Sequence, residues 1–168
     1  MILSIREADK GDIEQMSRIV CETWKDAFSD LVTKSDMDNF ADFVRQQNRF
    51  EQRLRDREFV YVLLCDGQAS AVCSAAFCKD RDLFDACTIN QLYVLPCFQR
   101  RGFGRKLLSY TLRSMRGKGF KQAALYVMEG NESAVSFYKK IGFEPDGKTE
   151  KCRSFENNNL LMRYTISL

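Results

Sequence analysis

The sequence predicts a mixed α/β domain, and three observations carry that prediction. Strand-length segments rich in β-branched and aromatic residues alternate with longer segments whose apolar residues recur at helical spacing. Two strand–loop–helix successions stand in the middle and second half of the chain, as a sheet covered by helices requires. No repeat, no low-complexity stretch and no Pro/Gly/Ser-rich linker divides the 168 residues. One domain over 1–168 is therefore expected, long enough to bury roughly two thirds of its unfolded surface.

The elements follow in order. Ile2 to Arg6 alternates apolar and polar residues, as an edge strand does. Asp9 opens a helix whose Asp12, Ile13, Met16, Ile19, Val20, Thr23, Trp24 and Phe28 share a face. A second helix is predicted from Ser35 or Asp36, with Met37, Phe40, Phe43 and Val44 apolar, continuing towards Leu54. Arg45 to Glu58 is rich in Arg, Gln and Glu, and reads as a solvated helix face or a loop. Phe59 to Cys65 and Ser70 to Cys78 form a hairpin around Asp66-Gly67, a strong turn signal. Cys87 to Leu95 is a strand closed by Pro96. Leu107, Leu108, Thr111, Leu112 and Met115 make a helical stripe that ends at Gly117 and Gly119. Ala123 to Met128 is a strand and Asn131 to Ile141 a helix. Phe143 to Leu168 reads as two strands around a polar loop at Glu156-Asn157-Asn158-Asn159.

Composition narrows the chemistry. The chain has no histidine, which excludes Ser-His-Asp and Cys-His catalysis and histidine-ligated metals. A general acid or base must be Tyr, Cys, Lys, Asp, Glu or a water chain. The seven cysteines include no C-x-x-C pair, so they read as reduced thiols in a cytoplasmic protein, with no metal. No apolar run approaches the ~20 residues of a membrane helix, and no basic-then-apolar start marks a signal peptide. A net charge of +3 gives no argument for nucleic acid.

The chemistry concentrates at Gln99-Arg100-Arg101-Gly102-Phe103-Gly104-Arg105-Lys106, between a strand and a helix. Such a loop turns several backbone N–H groups to one point beside the positive end of a helix dipole. Glycine lets a phosphate approach the backbone, and Arg100, Arg101, Arg105 and Lys106 add positive charge. The physical reading is a diphosphate site, although a bare Gly-x-Gly also opens ordinary helices. Neither the Gly-Lys-Ser/Thr of a P-loop nor the third glycine of a dinucleotide fingerprint is present. A second unit runs from Leu125 to Phe143, with Asn131 as N-cap. Tyr138 alone would read as a core or boundary aromatic. In a chain without histidine its hydroxyl is also a proton donor for a thiolate leaving group.

Together these stretches resemble the GNAT N-acetyltransferase superfamily. Gln99-x-x-Gly102-x-Gly104 matches its acyl-CoA signature. Leu92-Tyr93-Val94 before it, and Asn131-x-x-Ala134-x-x-Phe137-Tyr138-x-x-x-Gly142-Phe143 after it, match in type and spacing. The resemblance implies a mostly antiparallel sheet, splayed between its fourth and fifth strands, with flanking helices. It implies acetyl-CoA as co-substrate, its pantetheine arm paired with Leu92, Tyr93 and Val94. Its pyrophosphate would lie on the N–H groups of Arg100 to Arg105, including Arg101, Gly102, Phe103 and Gly104. Asn131 would bond the pantetheine or acyl region, Tyr138 would protonate the thiolate, and Lys140 would reach the 3′-phosphate.

The resemblance leaves the general base open. Thr88-Ile89-Asn90-Gln91 lacks the carboxylate that many members carry there. Glu129, Asp85, or a water held by Asn90 or Gln91 are the alternatives. Trp24, Phe28 and Asp30 would line the acceptor site, and Asp26, Asp30, Asp36 and Asp38 suggest an acidic rim. Cys97, beside the phosphate loop, reads as a small filler. The function implied is N-acetylation of a small-molecule amine: a polyamine, amino acid or amino sugar. A protein N-terminus or lysine is the alternative acceptor. A non-catalytic acyl-CoA sensor is the alternative from another class. No nucleic-acid or membrane partner is implied, and a homodimer is allowed by analogy.

Overall fold

The computed structural model describes residues 1–152, 155–156 and 159–168. Its elements are β1 (Leu3–Glu7), α1 (Ile13–Ala27), α2 (Lys34–Phe40), α3 (Phe43–Arg55), β2 (Phe59–Cys65), β3 (Gln68–Phe77), β4 (Ala86–Val94), α4 (Phe103–Gly117), β5 (Gln122–Met128), α5 (Glu132–Ile141), β6 (Glu144–Lys151) and β7 (Leu160–Ser167). Among the described residues the strands form a seven-stranded sheet in the order β1-β2-β3-β4-β5-β7-β6. Every neighbouring pair is antiparallel except β4 and β5. A parallel pair needs a long crossover, and α4 supplies it.

Alternation along the strands builds two cores. Tyr61, Leu63, Leu125 and Val127 face α4 and α5, together with Phe103, Leu107, Leu108 and Met115. Val60, Val62, Val72 and Met128 face the other way, against Ile19, Val20, Trp24 and Phe50 of α1 and α3. A period of two delivers successive side chains to opposite faces. Asp66 (φ 49°) and Gly67 (φ 84°) both take left-handed backbone, the pair of conformations that a two-residue hairpin loop needs. Burial pushes the Cys73 and Cys87 thiols up to about 12.

Two expectations need correction. The helix predicted from Ser35 to Leu54 is two helices. Asp42 takes an extended conformation and its carboxylate accepts from the Arg45 N–H (2.7 Å), starting α3 afresh. Arg45–Glu58 is therefore mostly regular helix, and it buries Gln46 and Phe50. The first strand is Leu3–Glu7, one residue later than predicted. Of the polar loop predicted at 156–159, Asn157 and Asn158 lie outside the described residues.

Two features shape the middle of the sheet. β4 pairs with β5 only at Ala86–Gln122, Cys87–Ala123 and Thr88–Ala124. On its other edge, β4 pairs Gln91 with Ser74 and Ile89 with Ala75, so Asn90 is an extra, bulged residue. A bulge bends its strand and increases local twist. The bend falls just past the last β4–β5 pair, and beyond it the two strands part.

The far half of the sheet is tied down by a buried cation. Arg163 on β7, with a side chain 5% exposed, donates to Asp146 (2.6 Å), Asp80 (2.8 Å) and Asp82. The Tyr126 hydroxyl also donates to Asp80 (2.7 Å). Burial alone would raise the Asp80 carboxyl, but hydrogen bonds from Tyr126, Arg163 and Lys148 outweigh it and hold it below its ordinary range. A depressed carboxyl stabilises the fold above its unfolded pKa, and that contribution is lost as pH falls through the folded value. Arg163→Met removes the shared cation and should cost about 3–5 kcal/mol at neutral pH. Urea unfolding at pH 7 and near pH 3 checks this: the gap between the variant and the natural chain should narrow in acid, because below the ordinary carboxyl pKa the unfolded chain takes up protons that folded Asp80 and Asp82 still refuse.

Candidate active site

The parting of β4 from β5 leaves two backbone edges facing across a gap. The Leu95 N–H bonds Ser70 on β3 (3.0 Å), so by alternation the N–H groups of Val94 and Leu92 point away from β3, into the gap. The Val94 carbonyl accepts from Thr23 Oγ1 (3.1 Å) and Gln99 Nε2 (3.3 Å), which fixes the strand end. Asn90 and Tyr93 lie beyond the last β4–β5 pair, Thr88–Ala124, and Glu129 directly follows the end of β5.

The strand runs into the glycine loop. Arg100 (φ 58°) and Gly102 (φ 82°) are both left-handed, and α4 begins at Phe103 with no side-chain cap. Among the described residues, the backbone N–H groups of Arg100 to Arg105 have no acceptor. An uncapped helix start keeps its first N–H groups available to an anion. Open space surrounds Gly102, so its φ is what requires glycine. Gly104 is small for a different reason: a Cβ there would stand 3.4 Å from both Phe137 and Val94. Arg101 lies over the Phe98 ring, which stacks on Phe103 at 5.3 Å. Arg100, Arg105 and Lys106 are exposed around the loop.

α5 forms the other wall. The Asn131 carboxamide oxygen accepts from the Ala134 N–H (3.1 Å), capping the helix and leaving its NH₂ for other partners. Tyr138 packs edge-on against Phe137 and Phe143, and burial drives its phenol well above the ordinary tyrosine range. The hydroxyl therefore keeps its proton at neutral pH. Glu129 and Lys140 are exposed. An open cavity of about 670 Å³ lies between α5 and β7, lined by Gly130, Lys139, Lys140 and Tyr164 among others. It includes none of the loop from Gln99 to Arg105, so the gap and the loop, not this cavity, carry the chemistry.

The acceptor-side residues divide. Trp24, 4% exposed, stacks on Phe28 (4.2 Å) and Phe40 (4.7 Å). Its N–H donates to the Tyr93 hydroxyl (3.0 Å), leaving the indole little surface for an acceptor. Phe28 is half-buried and Asp30 exposed. Of the four aspartates expected at an acidic rim, Asp26, Asp30 and Asp38 are exposed and Asp36 is withdrawn from solvent. Asp36 is buried, accepting from the Thr33 hydroxyl and the Glu156 N–H. Asp85 sits at the closed end of β4, paired with Lys121 (3.3 Å) and away from the gap. Cys97 is exposed, not packed as a filler.

Sequence reasoning missed the residues on the gap's two shoulders. Glu58 pairs with Arg53 and lies 3.4 Å from the Asn90 amide. Asp80 holds Tyr126 across the gap. Arg45, Arg49 and Arg53 recur every four residues, a spacing that sets them on one face of α3 and does not report what that face meets.

Comparison with known proteins agrees with this geometry. Residues 17–143 match the acetyltransferase (GNAT) family. A [Ribosomal protein bS18]-alanine N-acetyltransferase of Salmonella typhimurium is 35% identical over 69 residues, 41% of this chain and 47% of its own, so the match spans about half that relative. A spermidine N(1)-acetyltransferase of Thermoplasma acidophilum is 21% identical over 145 residues, 86% of this chain and 89% of its own. The crystal structure of the PaiA N-acetyltransferase of Thermoplasma acidophilum, in complex with coenzyme A, superposes with a TM-score of 0.75 at 18% identity, covering 97% of this chain and 98% of that one. With the family matched over most of its length, this chain belongs to the GNAT family and is an acyltransferase of the N-acetyltransferase type.

Proposed function

We propose that the protein moves an acetyl group from acetyl-CoA to a primary amine of a small molecule, by direct attack in a ternary complex. One observation carries this reading: a β4–β5 ladder that stops after three pairs and opens onto an uncapped helix start ringed by cations. A gap between two unpaired strand edges suits an extended arm that pairs with backbone, and the loop suits a diphosphate. The relatives that acetylate spermidine or a ribosomal protein support the reaction class and leave the acceptor to experiment.

The roles follow from position. Leu92, Tyr93 and Val94 pair with the pantetheine arm, and the Val94 N–H polarises the thioester carbonyl. The N–H groups from Arg100 to Arg105 hold the pyrophosphate, with Gln99 bracing the strand end. The free NH₂ of Asn131 bonds the arm. Glu129, exposed at the end of β5, accepts the proton lost by the amine, and Asn90 orients the acceptor. Tyr138, fully protonated, donates to the departing thiolate. The amine nitrogen bonds the acetyl carbon as the C–S bond breaks, so coenzyme A leaves as a thiol and the acceptor as an amide. Holding both reactants in one gap supplies much of the acceleration.

Calorimetric titration with acetyl-CoA, followed by thiol release across an amine panel, tests the proposal. Micromolar binding with release is expected. Binding without release from any amine would favour a sensor. Tyr138→Phe should lower kcat on the order of 10²-fold while leaving the acetyl-CoA Kd within about twofold, measured by steady-state kinetics and calorimetry. Lys140→Ala should weaken CoA a few-fold but leave 3′-dephospho-CoA unaffected, since an exposed charge pair contributes only about 0–1 kcal/mol.

A further inference from the structure

Besides the aspartates that the sequence suggested, α3 brings guanidinium groups to the aromatic stack on the acceptor side. Two guanidinium groups of α3 stand near the stack in which Phe40 packs on Trp24 and Trp24 holds the Tyr93 hydroxyl. The first, Arg49, is half-buried, with its guanidinium carbon 4.7 Å from the centroid of the Phe40 ring. Among the described residues it has no carboxylate partner and no hydrogen-bond acceptor. Burial and the neighbouring Arg53 and Arg45 pull its pKa below the ordinary guanidinium value. The second, Arg53, is bound to Glu58, yet its buried Nε has no acceptor among the described residues.

Asp26, Asp30 and Asp38 are exposed and solvated, and the more buried carboxylates of this region are engaged elsewhere. Asp36 holds Thr33 and Glu156, Asp42 caps α3, and Glu58 serves Arg53 and Asn90. Of the two guanidinium groups, Arg53 thus has a carboxylate and Arg49 has none among the described residues. A partly desolvated guanidinium without a counter-ion is costly, and a planar fork of donors is matched by a carboxylate. A polycation such as a polyamine would meet repulsion here.

We propose that the acceptor is an amine that also carries a carboxylate, an amino acid in its simplest form, with Arg49 binding the carboxylate and Arg53 beside it. This rests on the amine-acetyltransferase reading above and selects among its acceptors. The amine end lies towards Asn90 and Glu129, and the carboxylate end towards α3. Arg49 is here a specificity-determining residue and takes no part in proton transfer.

Matched sets test it on the full chain with saturating acetyl-CoA. Each set holds an amino acid, its α-amide and its decarboxylated amine, with spermidine as an added polycation. The carboxylated member should exceed its partners in kcat/KM by about tenfold or more. Arg49→Gln should raise KM for the amino acid about tenfold, keep kcat within about twofold, and leave the amide unchanged. Arg49→Lys, which keeps the charge but loses the fork, should recover part of that loss. Melting curves establish that both variants are folded.

Equal or better use of the amides or of spermidine overturns the inference. So does an Arg49→Gln defect spread evenly over all three members, or a panel with no turnover while acetyl-CoA still binds. Failure to bind acetyl-CoA would instead overturn the broader functional reading, and this inference with it.

Discussion

Strands β4 and β5 exchange backbone hydrogen bonds over three residue pairs and then separate, and the arrangement of the active site depends on where that separation begins. The paired end is held by Lys121, whose N–H and ammonium both engage Asp85. The open end is held by Thr23 and Gln99 on the Val94 carbonyl. Between them, the extra residue Asn90 lets β4 follow β3 on one side while leaving β5 on the other. The gap is therefore part of the register of the sheet, and needs no moving lid to form.

Around the gap, the two cores play different parts. The α4–α5 side brings the glycine loop, Phe137 and Tyr138 against the strand ends. The α1–α3 side brings an aromatic stack of Phe28, Trp24, Phe40 and Phe155 under Tyr93. Tyr93 joins them: its backbone is at the gap edge, while its hydroxyl is fixed by Trp24. Arg163 acts at a distance. By gathering Asp80, Asp82 and Asp146 it anchors the β3–β4 connection over β5 and sets Tyr126 on the far shoulder.

What could be read from sequence was local. The strand at Phe59–Cys65 matched residue for residue, because a β-branched run meets Asp66-Gly67 directly. The glycine loop and the Asn131 cap were legible for the same reason: each is encoded within a few neighbouring residues. The break at Asp42 was also local, but the apolar spacing of Phe40, Phe43 and Val44 ran across it and hid the cap. The shoulders of the gap were not legible. Glu58 meets Asn90, and Asp80 meets Tyr126 and Arg163, across 32, 46 and 83 positions of chain. No period or short motif reports such meetings. Arg49 was visible only as one more charge on a helix whose partners were unknown.

Unpaired strand edges invite other chains, and this sheet manages its edges in two ways. The outer strand β6, Glu-Pro-Asp-Gly-Lys-Thr-Glu-Lys, is mostly charged, carries a proline and loses register with β7 at 145–149, so it offers a poor template for strand addition. The gap-facing edge of β4 has no such defences, since Leu92, Tyr93 and Val94 are apolar or aromatic. Its protection is confinement. β5 stands opposite and helices pack both faces, so a second sheet cannot dock there, whereas a single slender chain can thread in. The same narrowness that suits the gap to one extended ligand also spares the protein an aggregation-prone edge at its centre.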